Sequence, residues 1–182
     1  MLGVDVLISN LNNIYGCIQA FALQYKIVEE YERRPANGEN FRFYLYPNHN
    51  YLQHNKLVAY NRFKKNFAGY VAPNFICLND LYNNLNRGTL LDNSRFIPPQ
   101  VYIIDKKSHY ITFNNLTAHQ HSREEIKYET LSLAEIIDKP NSDFMMSSKE
   151  FIDMIHIIKE NNAGIKWNYF NEALLIAYRI IE

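Results

Sequence analysis

Residues 54–75 constrain the fold more than any other stretch of this sequence. They run His54-Asn55-Lys56-Leu57-Val58-Ala59-Tyr60-Asn61, then Arg62-Phe63-Lys64-Lys65-Asn66, then Phe67-Ala68-Gly69-Tyr70-Val71-Ala72-Pro73-Asn74-Phe75. Two apolar runs around a basic, polar break predict two short strands joined by a turn. In an antiparallel pair the start of the first strand lies beside the end of the second. This arrangement brings His54, Lys56 and Asn74 to one end of a hairpin. His54 and Lys56, two residues apart, would share one face of their strand.

Before that stretch, apolar residues at Leu7, Leu11, Ile14, Ile18, Phe21, Tyr25 and Val28 step by fours and threes and predict a helix over about residues 10–31. Phe41, Phe43 and Leu45 alternate with Arg42 and Tyr44 as a half-buried strand. Asn79 before Asp80 and Gly88 after Arg87 bracket a short helix. Residues 101–104 and 109–113 read as a second hairpin around the turn Asp105-Lys106-Lys107-Ser108. Ser132 with Glu135, and Ser147 with Glu150, each fit a capping box. A last helix is expected from about residue 168. The order of elements predicts an α/β or α+β fold, a mixed sheet with hairpins flanked by helices.

The chain has 182 residues, a length that fits one domain over residues 1–182, with a C-terminal helical part over about 131–182. Lysine plus arginine equals aspartate plus glutamate, so any nucleic-acid surface would be local rather than a property of the whole molecule. Cys17 and Cys77 sit in apolar runs without metal spacing and read as buried free thiols of a reduced, cytoplasmic protein. No run of about 18 apolar residues predicts a membrane span.

The spacing of His54, Lys56, Leu57 and Val58, followed by Asn74 and Phe75, resembles the His-x-Lys core of the phospholipase D superfamily over about residues 40–86. The resemblance implies metal-independent phosphodiester cleavage with no cofactor. His54 would attack phosphorus and form a phosphohistidine. Lys56 and Asn74 would hold the phosphoryl oxygens as charge develops. The family uses two such motifs and this chain has one, so an active form would be a homodimer. Where the family carries an acid, this chain has the amide of Asn61, and the family's small Gly-Ser pair is replaced near Ala72.

Three other groups of residues bear on chemistry. Arg62, Lys64 and Lys65 interleave with Phe63 and Phe67, as in a surface that contacts a nucleic-acid backbone and stacks bases; the same pattern fits a solvated turn. Asp92 with Asp105 and Lys107 suits a magnesium-dependent nuclease, although Asp105 to Ser108 also has the composition of a turn. His119 and His121, with Glu124 and Glu125 close behind, would share a strand face and offer nitrogen and oxygen ligands to zinc; a polar loop is the plainer use of the same residues. Two functions follow from the sequence: a nuclease-like phosphodiesterase of phospholipase D type, or a non-catalytic accessory or inhibitory subunit that binds a protein through its tyrosines and amides.

Overall fold

The computed structural model describes residues 6–12, 17–31, 38, 40–45, 50–64, 68–104, 108–122, 125–138 and 145–161. Within them the fold is α+β, with two sheets flanked by helices. The first sheet grows from β2 (Cys17–Tyr25), which pairs antiparallel along one edge with β1 (Val6–Asn12). Its other edge meets β11 (Met145–Ser147), antiparallel, and then β5 (Ala68–Pro73), parallel. Beyond β5 lie β6 (Ser94–Ile97) and β10 (Leu131–Ser132), both antiparallel to their neighbours. The second sheet is antiparallel throughout, in the order β3 (Glu29–Glu30), β4 (Phe41–Leu45), β7 (His109–Phe113), β8 (Thr117–His121) and β9 (Ile126–Glu129).

The helix expected over residues 10–31 is replaced by strands β1 and β2. Phe21, Ala22, Leu23 and Gln24 are buried in succession, so this part of β2 is covered on both faces. A strand of that kind is a continuous apolar run rather than an alternation. Such a run supplies apolar residues at every spacing, the helical one included.

Residues 54–75 are likewise not a hairpin. They form the end of α1 (Asn50–Phe63), a connection, and β5. The buried face of α1 carries Gln53, His54, Leu57, Val58 and Tyr60. Two of these five are polar, so the helical period is invisible if only apolar residues are counted, and Leu57 to Tyr60 alone resemble a strand. Asn61 then closes the connection to β5. Its Nδ2 donates to the Ala68 carbonyl (2.8 Å) and its Oδ1 accepts from the Ala68 N–H (2.7 Å), as a backbone ladder would. Asn61→Ala leaves both Ala68 groups without these partners and is expected to cost about 2 kcal/mol in urea unfolding. Asn61→Asp keeps the acceptor alone and should cost less than Asn61→Ala only if the Ala68 N–H is the dominant partner.

Other expectations change in detail. Residues 101–104 form no strand; β7 pairs instead with β4 and β8. Asp105 to Lys107 lie outside the described residues. Cys77 is exposed and caps α2 (Leu78–Arg87): its Sγ accepts from the Asp80 N–H, and Gly88 takes the left-handed conformation that ends the helix. The region from 131 onward contains α3 (Leu133–Asp138) and α4 (Ser148–Asn161), but β10 and β11 belong to the first sheet. Both capping boxes form. The Glu135 N–H donates to Ser132 Oγ while Glu135 Oε2 accepts from the Ser132 N–H, and Glu150 and Ser147 do the same. The helix expected from residue 168 lies outside the described residues.

One core joins the two sheets: Tyr70, Ala72 and Ile97 from the first meet Phe43, Leu45, Ile111 and Phe113 from the second, with Leu57 and Tyr60 of α1 and Met154 of α4. On the opposite face of the first sheet, Phe21, Leu23, Val71 and Phe96 pack under Leu133 and Ile136 of α3. No described helix is long and apolar enough to cross a membrane.

Candidate functional site

His54 points from α1 into the core and is fully buried. Its Nε2 lies 2.7 Å from the Val101 carbonyl, which can only accept, so Nε2 carries the proton. Nδ1 is therefore the acceptor, 2.8 Å from the Tyr70 hydroxyl that donates to it. Burial pushes the imidazole pKa down to about 4; the bond to Val101 opposes this, and the nearby Lys26 and His109 add to it. The neighbouring Asn55 takes hold of the same segment, donating to the Ile103 carbonyl and accepting from its N–H. Together the two side chains pin residues 101–103 against α1. His54 is thus a neutral strut with both nitrogens engaged, and it offers neither to solvent.

The other residues singled out with it do not converge there. On a helix, positions two apart lie about 200° apart, so Lys56 leaves α1 on the side away from His54. Lys56 is partly exposed, and partial burial lowers its pKa. Asn74 follows β5, where its Nδ2 donates to Asn115 Oδ1 (2.6 Å) and its own Oδ1 is buried without a hydrogen bond among the described residues. It lines an open groove of about 560 Å³ with Tyr31, Phe41, Phe75, Ile76 and Asp80. Arg62 stacks over the Tyr102 ring, 4.3 Å from its centroid, and Lys64 is half-buried. Lys65 lies outside the described residues.

Two features stand out on the surface. The first is α2, which borders the groove. Leu78, Leu81, Tyr82 and Leu85 fall at i, i+3, i+4 and i+7, the spacing of one apolar helix face. None of them is buried, and Leu78, Tyr82 and Leu85 are 68%, 59% and 51% exposed. Ile76 and Leu91, just outside the helix, are exposed as well. The rim of this ridge is neutral, made of Asn79, Asn84 and Asn86; Asp80, Asn83 and Arg87 fall on the far side at 3.6 residues per turn. The sequence predicted the helix, but an amphipathic stripe ordinarily signals contact with the core, so the exposure was not legible.

The second feature is the outer face of the second sheet. Alternation along β4, β7 and β8 sends Phe43, Ile111 and Ala118 inward, while Arg42, Tyr44, Tyr110, Thr112, His119 and His121 face out. Arg42 lies over the rings of Tyr31 and Tyr44 and pairs with Glu29 at 3.2 Å. Tyr110 stacks on His121 with ring centroids 4.4 Å apart, as cross-strand partners do. His119 and His121 are side by side, at 4.1 Å between centroids, and Glu125, the residue before β9, reaches both. The strand face expected for these two histidines is therefore present.

Comparison of the chain with protein-family models, with curated proteins and with solved structures returns no match.

Proposed function

We propose that the chain is a protein-binding module whose recognition element is α2, inserted into an apolar groove on a partner protein. The observation that carries this reading is a ten-residue helix whose apolar ridge has no buried residue and exposes Leu78, Tyr82 and Leu85, with Leu81 half-buried. Exposed Leu and Tyr at helical spacing are the anchors of helix-in-groove recognition. The amide rim calls for a groove edged by neutral hydrogen-bonding groups rather than by charge. A second copy of the same chain is the poorer occupant. Ten residues of helix span about 15 Å, and two convex ridges of that length bury well under the roughly 800 Å² per partner of a stable interface. A groove that wraps the ridge buries more.

The test places a photo-crosslinking phenylalanine at Tyr82, with a control at Arg87, and identifies the adduct in cells. The purified pair is then titrated with wild type and with Leu78→Ser/Tyr82→Ser/Leu85→Ser. Because the three residues are exposed, each replacement should change stability by less than about 0.5 kcal/mol, while affinity should fall by at least about 100-fold. An adduct only with another copy of this chain, or unchanged affinity in the triple variant, would overturn the proposal. The competing proposal is a metal-independent, homodimeric phosphodiesterase acting through His54, Lys56 and Asn74. It predicts hydrolysis of bis-(p-nitrophenyl) phosphate or DNA in excess chelator, lost in the surface variant Lys56→Ala; the binding module predicts none.

A further inference from the structure

The geometry points to a transition-metal site on the outer face of the second sheet, formed by His119, His121 and Glu125. These residues are not used by the α2 ridge. One ligand atom from each lies within 4.8 Å of the other two. His119 Nε2 is 3.7 Å from Glu125 Oε2, and His121 Nδ1 is 3.9 Å from Glu125 Oε1. Both separations exceed a hydrogen bond, which for a charged pair would be about 2.8 Å. They approach the spacing set by one shared ion: tetrahedral ligands about 2.0–2.1 Å from zinc stand roughly 3.4 Å from one another. The ligand atoms lie within 4.8 Å of one another, so closing on one ion takes up to about 1.4 Å; Glu125, 66% exposed, has the room to move, while the imidazoles are only 16% and 18% exposed.

The surroundings suit the tautomer of His121 that such a site needs, because a threonine hydroxyl can accept from Nε2–H as well as donate to Nε2. Thr112 Oγ1 lies 2.9 Å from His121 Nε2, and the Tyr110 ring stacks on the imidazole. With Nε2–H donated to the threonine hydroxyl, the lone pair of Nδ1 faces the carboxylate. A hydrogen-bonded partner on the distal nitrogen is the usual outer support of a metal-bound imidazole. Thr112 is therefore a positioning residue. Two imidazoles and one carboxylate favour zinc or a neighbouring divalent transition ion over magnesium or calcium. Three protein ligands leave a fourth position for water or for a donor from a bound molecule.

The test titrates the metal-free full chain with cobalt(II) and then zinc, following the visible cobalt spectrum and the heat of zinc binding. The expected result is one equivalent bound, with intense low-symmetry cobalt bands that zinc displaces. His119→Ala and His121→Ala should each weaken zinc binding by at least about 100-fold, and Thr112→Val by about 10-fold. Circular dichroism of each variant checks that the sheet is retained, and Lys127→Ala on the same sheet is the control for a general surface effect. Long-range nitrogen–proton spectra should show zinc-dependent shifts at His119 Nε2 and His121 Nδ1. Zinc affinity equal in wild type and both histidine variants, or loss of the same size in Lys127→Ala, would overturn the site.

Discussion

Acidification from pH 7 to pH 4 is expected to remove roughly 3 kcal/mol of stability through His54 alone. The folded pKa lies near 4 against an ordinary 6.5. Between those values the unfolded chain binds a proton on this ring and the folded chain does not. The contribution is therefore complete above pH 6.5 and is lost as pH falls through 4. Burial is the main cause, and the hydrogen bonds explain why the neutral ring is kept: protonating Nδ1 would set an N–H against the hydroxyl proton of buried Tyr70. Urea unfolding at half-unit pH steps, with wild type and His54→Gln together, isolates the effect from other titrating groups. His54→Gln should be less stable at pH 7 by about 1–3 kcal/mol, from the imperfect replacement of two hydrogen bonds, and the gap should close toward pH 4. Parallel curves would show that the ring is not buried in its neutral form.

Gly69→Ala is expected to destabilise by about 2 kcal/mol, a large cost for one methyl group. A Cβ on Gly69 would stand 2.5 Å from Phe96 Cε2 and 2.6 Å from Cζ. The ring has little room to retreat, because Phe96 is 2% exposed and meets Phe21 edge-on with centroids 6.3 Å apart. The backbone offers no easier route, since Gly69 pairs with Leu23 in the parallel ladder. Denaturant unfolding of Gly69→Ala, Phe96→Leu and the double variant tests the cause. Removing the ring relieves the clash, so the double variant should be more stable than the sum of the two single losses by at least about 1 kcal/mol. Strict additivity would place the cost elsewhere than in this contact.

His54 also shows why chemistry was hard to place from residue order. A histidine two residues before a lysine reads as a reactive pair only if the segment is a strand. In the helix the two side chains diverge, and the histidine serves packing and segment docking. The amide of Asn61, set against the acid of a resembling family, has a local use that any spacing argument misses: it completes the backbone bonding of Ala68. By contrast, the alternation of Ala118, His119, Gln120 and His121 needed only a strand to put the two imidazoles on one face, and β8 supplies it.

Features held by bonds between near neighbours in the chain were determined by the sequence itself. The two capping boxes close over three residues, and the left-handed Gly88 ends α2. Only the tertiary structure decided which apolar run became strand or helix, which helix face stayed exposed, and that His54 is internal. The partners that settle its state, Tyr70 and Val101, lie 16 and 47 residues away. Burial depends on which distant surfaces meet, and local spacing carries no record of that.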